Sequence, residues 1–260
     1  MEGTVSLDGK SIVVTGAGSG IGAAAGRMAA AAGARVMLAD RDQAAGEAVL
    51  AGIVDAGGEA RFARCDIGDE AAVRALVDAA VEVFGRIDGA FNNAARPSFS
   101  HTDVAKALAD MPNEAMERAI AVNVMGTFYC LKHEIAAMLG TGGGAIVNTA
   151  SNAGVLAIPN AADYVTTKHA VIGLTKSAAL DYARAGIRVN AVLPGVTRTK
   201  MMEESFARNP ELNEWAAEVQ PNGRVGEPEE IAAAALWLLS DAASFVTGIA
   251  MHVDGGYAMT

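Results

Sequence analysis

Seven short runs of apolar, largely β-branched residues recur along the chain, at 11–15, 34–40, 60–66, 87–93, 144–151, 187–194 and 249–254. Most are continuously apolar rather than alternating, the pattern of parallel strands covered on both faces. Ala-rich segments of helical length separate them, near 20–32, 42–55, 69–84, 112–139, 161–184 and 228–239. Gly33, Gly57, Gly85, Gly140 and Gly186 stand where helix C-caps belong. This alternation predicts an α/β fold, a Rossmann-type doubly wound parallel sheet of about seven strands with helices on both faces. At 260 residues the chain reads as one domain spanning 1–260, with no internal repeat, low-complexity tract or linker.

One interval breaks the rhythm. Residues 196–226 mix Met201, Met202, Phe206, Asn209, Pro210, Trp215, Pro221 and Gly223 without a confident element. Long intervals of this kind in compact domains are usually functional, and this one follows the carboxyl end of a strand, where open α/β sheets bind ligands. It is expected to form a substrate-binding loop or lid.

Composition narrows the possibilities. A net charge of -10 with scattered Lys and Arg argues against a nucleic-acid partner. Charges or glycines punctuate every apolar run before it reaches bilayer-spanning length, so no membrane partner is expected. The opening segment 1–10 has neither a basic start nor an apolar stretch, which points to the cytoplasm. Cys65 and Cys130 lack CxxC spacing and read as buried free thiols, with a disulfide or redox role the less favoured alternative. His101, His133, His169 and His252 form no ligand pair at helical spacing, so no metal is expected.

The first strand leads through Thr15-Gly16-Ala17-Gly18-Ser19-Gly20-Ile21-Gly22 into an Ala-rich helix. Glycines there let backbone approach a pyrophosphate, and the helix N-terminus at Ser19, Gly20, Ile21 and Gly22 supplies amide donors and a favourable dipole. Asp40 closes the second strand, placed to accept from both ribose hydroxyls and to repel a 2′-phosphate, which favours NAD over NADP. Arg41 beside it either grips a 2′-phosphate or is a solvated charge at a helix start. Asp66 and Ile67 end the third strand, and Asn92-Asn93-Ala94-Ala95 the fourth, where adenine and ribose contacts fall. Asp66 also reads as an N-cap for the helix beginning near Asp69.

Ser151 ends the fifth strand, Tyr164 follows thirteen residues later, and Lys168 lies one helical turn beyond. Tyr164 and Lys168 therefore share a helix face, with an ammonium near a phenol. A free phenol titrates near 10, but an adjacent cation and a positively charged nicotinamide both favour the phenolate. Tyr164 then serves as general acid and base, tuned by Lys168, and Ser151 holds the substrate oxygen beside it.

With these residues in place the chain resembles the single-domain short-chain dehydrogenase/reductases over nearly its whole length. Their TGxxxGxG loop falls on Thr15, Gly16, Gly20 and Gly22, their strand-end Asp on Asp40, and their NNAG element on Asn92-Asn93-Ala94-Ala95. Their catalytic Asn, Ser, Tyr and Lys fall on Asn123, Ser151, Tyr164 and Lys168, and their PGxxxT segment on Pro194, Gly195, Val196 and Thr199. The resemblance implies that Asn123 fixes a water linking Lys168 to solvent and that the nicotinamide carboxamide lies against Val196 and Thr199. It counts Asn93, Ala94, Tyr164, Lys168, Pro194 and Gly195 among the cofactor contacts. Ala95, where the family usually has Gly, adds a methyl beside the nicotinamide ribose. It further implies dimers through the 112–139 and 161–184 helices and a homotetramer, in keeping with closed symmetric assembly.

The expected pocket is mostly apolar, walled by Phe99, Ala153, Leu156, Met201, Met202, Phe206 and Trp215 around Ser151 and Tyr164. It suits a neutral secondary alcohol or its ketone, and a weaker similarity to cyclic-diol dehydrogenases adds cyclic alcohols and diols. The competing readings are an NADP-dependent carbonyl reductase and a non-catalytic dinucleotide-binding regulator. A methyltransferase on a similar sheet would leave the Ser-Tyr-Lys set without a purpose.

Overall fold

The computed structural model describes residues 5–96 and 106–259, leaving aside the side chains of Met201 and Ser205. β1 (Ser11–Thr15) starts a sheet of seven parallel strands in the order β3-β2-β1-β4-β5-β6-β7. The other strands are β2 (Arg35–Asp40), β3 (Glu59–Arg64), β4 (Gly89–Asn92), β5 (Gly144–Thr149), β6 (Ile187–Pro194) and β7 (Ala250–Val253). The predicted architecture is present.

Each central strand is buried on both faces, which is why its sequence does not alternate: β1 and β4 have no exposed residue. One face is covered by α1 (Gly20–Ala31), α2 (Gln43–Asp55) and α9 (Pro228–Leu239), packed on Ile12, Val14, Leu38 and Val147. The other carries α3 (Glu70–Phe84), α5 (Thr127–Leu139) and α6 (Ala162–Tyr182), packed on Val13, Met37, Ile146 and Val189. The strand order reverses between β1 and β4, and a crevice opens there at the carboxyl ends of the strands.

Three expectations about these elements need correction. The single helix expected at 112–139 is α4 (Asn113–Ala119), a π-helical segment Ile120–Gly126, and α5. Gly85 and Gly186 are left-handed C-caps, and Gly33 and Gly57 also have positive φ. Gly140 stays right-handed at φ -73°, and the positive φ passes to Gly142 and Gly143. Asp69, not Asp66, caps α3 by accepting from Ala71 N, while Asp66 Oδ1 accepts from Gly68 N at 3.0 Å.

The interval 196–226 is largely helical, with α7 (Lys200–Arg208) and α8 (Pro210–Glu218). Phe206, Ala216 and Val225 are buried together there, with Val196, Met202 and Leu212 packed against them. Its two ends meet in a parallel bridge between Thr197 and Gly226, where Gly226 N donates to Val196 O and Arg198 N to Gly226 O. Ion pairs Arg198–Glu227 and Arg224–Glu230 brace the same neck. No helix among the described residues is long and apolar enough to cross a membrane.

Candidate functional site

The glycine loop between β1 and α1 is held by the end of β4. Thr15 Oγ1 accepts from Asn93 N and Ala94 N at 3.1 and 3.2 Å, and Asn93 Nδ2 donates to Thr15 O and Gly16 O at 3.4 Å. Gly16 has φ +67°, and a Cβ on it would sit 2.8 Å from Ala94 Cα. A Cβ on Gly22 would collide with Gly16 O. Glycine is therefore required for the chain to close the turn at all. α1 begins without an acidic side chain in its first turn, and Ser19 Oγ makes no cap hydrogen bond. The positive end of the helix dipole is thus left uncompensated, which fits an anionic phosphate.

Asp40 lies at the rim of this cradle. Its Oδ2 accepts from Gly18 N at 2.8 Å and its Oδ1 from Asp42 N at 2.9 Å, so the carboxylate is fixed against the loop. Arg41 is exposed, as are Ser19 and Asp66, while Ile67 is buried. Thr199, near the start of the 196–226 interval, reaches back to the loop: a Cβ on Gly20 would lie 3.0 Å from its Cγ2. Of the 194–199 segment, Thr199 is the residue brought to the glycine loop, while Val196 packs against Phe206, Ala216 and Val225. The residues present fit a dinucleotide.

Ser151, Tyr164 and Lys168 converge at the far side of the crevice. Ser151 follows β5, where its Oγ accepts from Ala153 N at 3.1 Å. Tyr164 and Lys168 rise from the first turns of α6, with Lys168 Nζ 5.5 Å from the centroid of the Tyr164 ring. Lys168 is only 2% exposed, and its Nζ donates to Thr149 O at 2.7 Å. Burial brings its pKa down to about 7. Burial pushes Tyr164 up, and the hydrogen bond from Ser151 acts in the opposite direction.

Asn123 sits in the π segment, 1% exposed. Its Oδ1 accepts from Arg96 N at 2.7 Å, and its Nδ2 donates to Arg96 O at 2.9 Å and Thr167 Oγ1 at 3.1 Å. Thr167 Oγ1 donates in turn to Tyr164 O. The side chain thus braces the first turn of α6 through Arg96 and Thr167.

The expected pocket walls are only partly brought together. Ala153 is fully buried and Leu156 half-buried beside Ser151. Met202 and Phe206 turn into the local cluster of the 196–226 interval, and Trp215 is 46% exposed. Phe99 and the side chain of Met201 lie outside the described part. A separate cavity of about 350 Å3 lies within the 196–226 interval, lined by Arg198, Glu203, Phe206, Pro210, Asn213 and Glu214. None of the Ser151, Tyr164 and Lys168 set borders it.

Residues 16–258 match a family model described as enoyl-(acyl carrier protein) reductase. A 2,5-dichloro-2,5-cyclohexadiene-1,4-diol dehydrogenase of Sphingobium indicum is 48% identical, covering 96% of this chain and 98% of that protein. The chain belongs to the short-chain dehydrogenase/reductase family. Another member, a cyclohexanol dehydrogenase of Acinetobacter, is 40% identical over 96% of both chains. Among solved members, levodione reductase superposes with a TM-score of 0.91 at 36% identity, covering 97% and 99% of the two chains. Actinorhodin polyketide ketoreductase with NADPH superposes with a TM-score of 0.89 at 34% identity, covering 96% and 98%. The family is one of oxidoreductases that bind a nicotinamide dinucleotide, and this member is an oxidoreductase acting on alcohols.

Sequence reasoning missed several residues of the member's site. Thr149 holds Lys168 through a main-chain oxygen, which no side-chain pattern reveals. Its hydroxyl donates to Asn93 Oδ1 at 3.3 Å, tying the lysine to the glycine loop. Thr167 acts as a local brace, for which only its position beside Lys168 is a signal.

Proposed function

We propose that the protein is an NAD-dependent dehydrogenase interconverting a neutral secondary alcohol, of the cyclic alcohol or diol class, with its ketone. The observation that carries this reading is the convergence of Ser151, Tyr164 and a buried Lys168 at the switch-point crevice, facing the glycine cradle. The bound nicotinamide supplies hydride transfer. The Tyr164 phenolate takes the alcohol proton in oxidation, and the hydroxyl so formed gives it back in reduction, while the Ser151 hydroxyl orients the substrate oxygen. Lys168 in its ammonium form favours the phenolate of Tyr164. Asn123 holds the turn of α6 from which both residues project.

NAD is favoured because the fixed Asp40 carboxylate meets the ribose position and repels a 2′-phosphate. The exposed Arg41 supports a second reading, an NADP-dependent carbonyl reductase. The cyclic substrate class rests on the names of the two relatives. Asn123, Ser151, Tyr164 and Lys168 together weigh against a non-catalytic regulator. The whole chain forms one catalytic domain, with 196–226 closing over the substrate. Exposed Ile120 and Phe128 beside and on α5, and Leu180 on α6, support pairing of these helices in a homotetramer. Two buried free thiols suit a reducing, cytoplasmic compartment.

A spectrophotometric panel of cyclic and open-chain alcohols with NAD and NADP tests the reading. Cyclic secondary alcohols with NAD are expected to turn over best, and a preference for primary alcohols or carboxylates overturns it. Because burial holds Tyr164 in its protonated form, alcohol oxidation should rise with pH and ketone reduction fall.

A further inference from the structure

Glu134 lies on α5, 1% exposed, and among the described residues no Lys, Arg or His pairs with it. The ion pairs of α5, from Lys132 and His133, go to Glu70 on α3. The hydrogen-bond partner of Glu134 is the Asn92 amide, whose Nδ2 donates to Oε2 at 2.9 Å. The same Nδ2 donates to Asn148 Oδ1 at 3.1 Å. Asn148 Nδ2 donates to Thr175 Oγ1 at 3.0 Å, and Thr175 Oγ1 to Val171 O at 2.8 Å. A buried polar ladder thus runs from α5 through β4 and β5 to Thr175 on α6, about two turns past Lys168.

Two features of this ladder are costly as they stand. A carboxylate is buried without a counter-charge, and Asn92 Oδ1 is buried with no donor. One proton removes both. We propose that Glu134 is held as the neutral acid, its O–H donating to Asn92 Oδ1 while Asn92 Nδ2–H donates to Oε2, and that this acid–amide ring positions the glycine loop. The link to the loop is the next residue, Asn93, whose amide donates to Thr15 O and Gly16 O. Glu134 is therefore a positioning residue, acting through Asn92 and Asn93.

The surroundings suit a neutral acid. Burial pushes Glu134 up to about 7, opposed by the Asn92 bond. Cys130, one turn earlier on α5, and Cys65 at the end of β3 are thiols that burial also pushes up, so neither carries a charge at neutral pH. α3 packs on this side of the sheet through Val73, Leu76, Val77 and Ala80. β4, β5 and the π segment contribute Asn92, Asn148 and Asn123. On α6, Thr175 faces the ladder, while Asp163 and Lys168 are engaged with Tyr164 N and Thr149 O.

The test compares wild type with Glu134→Gln, whose amide is neutral at every pH and can donate to Asn92 Oδ1. In thermal unfolding of the protein without cofactor, a folded-state value of about 7 against 4.5 means that wild type loses stability relative to Glu134→Gln as pH rises from 4.5 to about 7. Above that the difference levels off, and a difference that is flat throughout overturns the protonated acid. In NAD titrations the wild-type Kd should rise as pH passes about 7 while the Glu134→Gln Kd stays level. Glu134→Leu, which orphans the Asn92 amide, should weaken NAD about tenfold at every pH. If unfolding shows the slope but NAD affinity does not follow, the positioning role is overturned and the protonation stands. The unfolding series does not depend on the cofactor assignment. Should Glu134→Gln fail to fold, the infrared carbonyl band of a protonated carboxylic acid, measured on wild type, decides. Its presence at about pH 5.5 and loss above about pH 8 supports the proposal, and its absence at the lower pH overturns it.

Discussion

The crevice between β1 and β4 and the excursion 196–226 sit on either side of the same site, yet they are built in opposite ways. The crevice is assembled from residues far apart in sequence: Thr15 with Asn93, Gly18 with Asp40, Lys168 with Thr149. Each contact is backbone-close, and several tolerate no additional Cβ. The excursion instead packs on itself, Phe206 against Ala216 and Val225, and touches the rest of the fold mainly at its neck. A site for a fixed cofactor gains from over-determination, whereas a site for a particular substrate is best carried on a unit that can change alone.

If the contrast is real, substitutions on the crevice side should switch chemistry off, and those in the excursion should retune it. Tyr164→Phe removes the proton carrier and should lower kcat by roughly 10²–10⁴-fold with cofactor Kd nearly unchanged, which stopped-flow and titration calorimetry separate. Retention of most turnover would mean that Tyr164 is not the acid and base. Asp40→Ala removes charge-assisted hydrogen bonds to ribose and should shift the NAD to NADP ratio of kcat/KM by roughly 10–100-fold. An unchanged ratio would hand cofactor choice to Arg41. Phe206→Ala hollows the excursion's own cluster and should raise substrate KM by roughly three- to tenfold, leaving kcat for small cyclic alcohols and the melting temperature little changed. A global loss of stability would show the excursion to be part of the main core and would erase the distinction.

The difference also explains what could be read from the sequence. The five inner strands were legible because burial on both faces leaves continuous apolar runs, while the edge strands β3 and β7, only partly buried, were legible by their place in the alternation of strand and helix; the glycine loop was legible because close backbone approach admits one residue type. Tyr164 and Lys168 were legible because one helical turn fixes their spacing. α7 and α8 were not: Pro210 and the polar stretch around Glu203 and Glu204 obscure two helices whose apolar positions serve only a small local cluster. The π segment at Asn123 answers to packing against Arg96 and Thr167, and no local propensity marks it. Glu134, next to Lys132 and His133, reads as one more surface charge. Its burial becomes visible only when β4 brings Asn92 to it.

The bridge between Thr197 and Gly226 has a bearing on how such a protein can diverge. Because the chain leaves and rejoins the sheet at adjacent points, the cost of closing the intervening segment grows only slowly with its length. Residues between that doorway can be lengthened, shortened or exchanged as a cassette without moving Ser151, Tyr164 or Lys168. New substrates are thus open to this scaffold by transplantation of one contiguous stretch, with the crevice inherited intact.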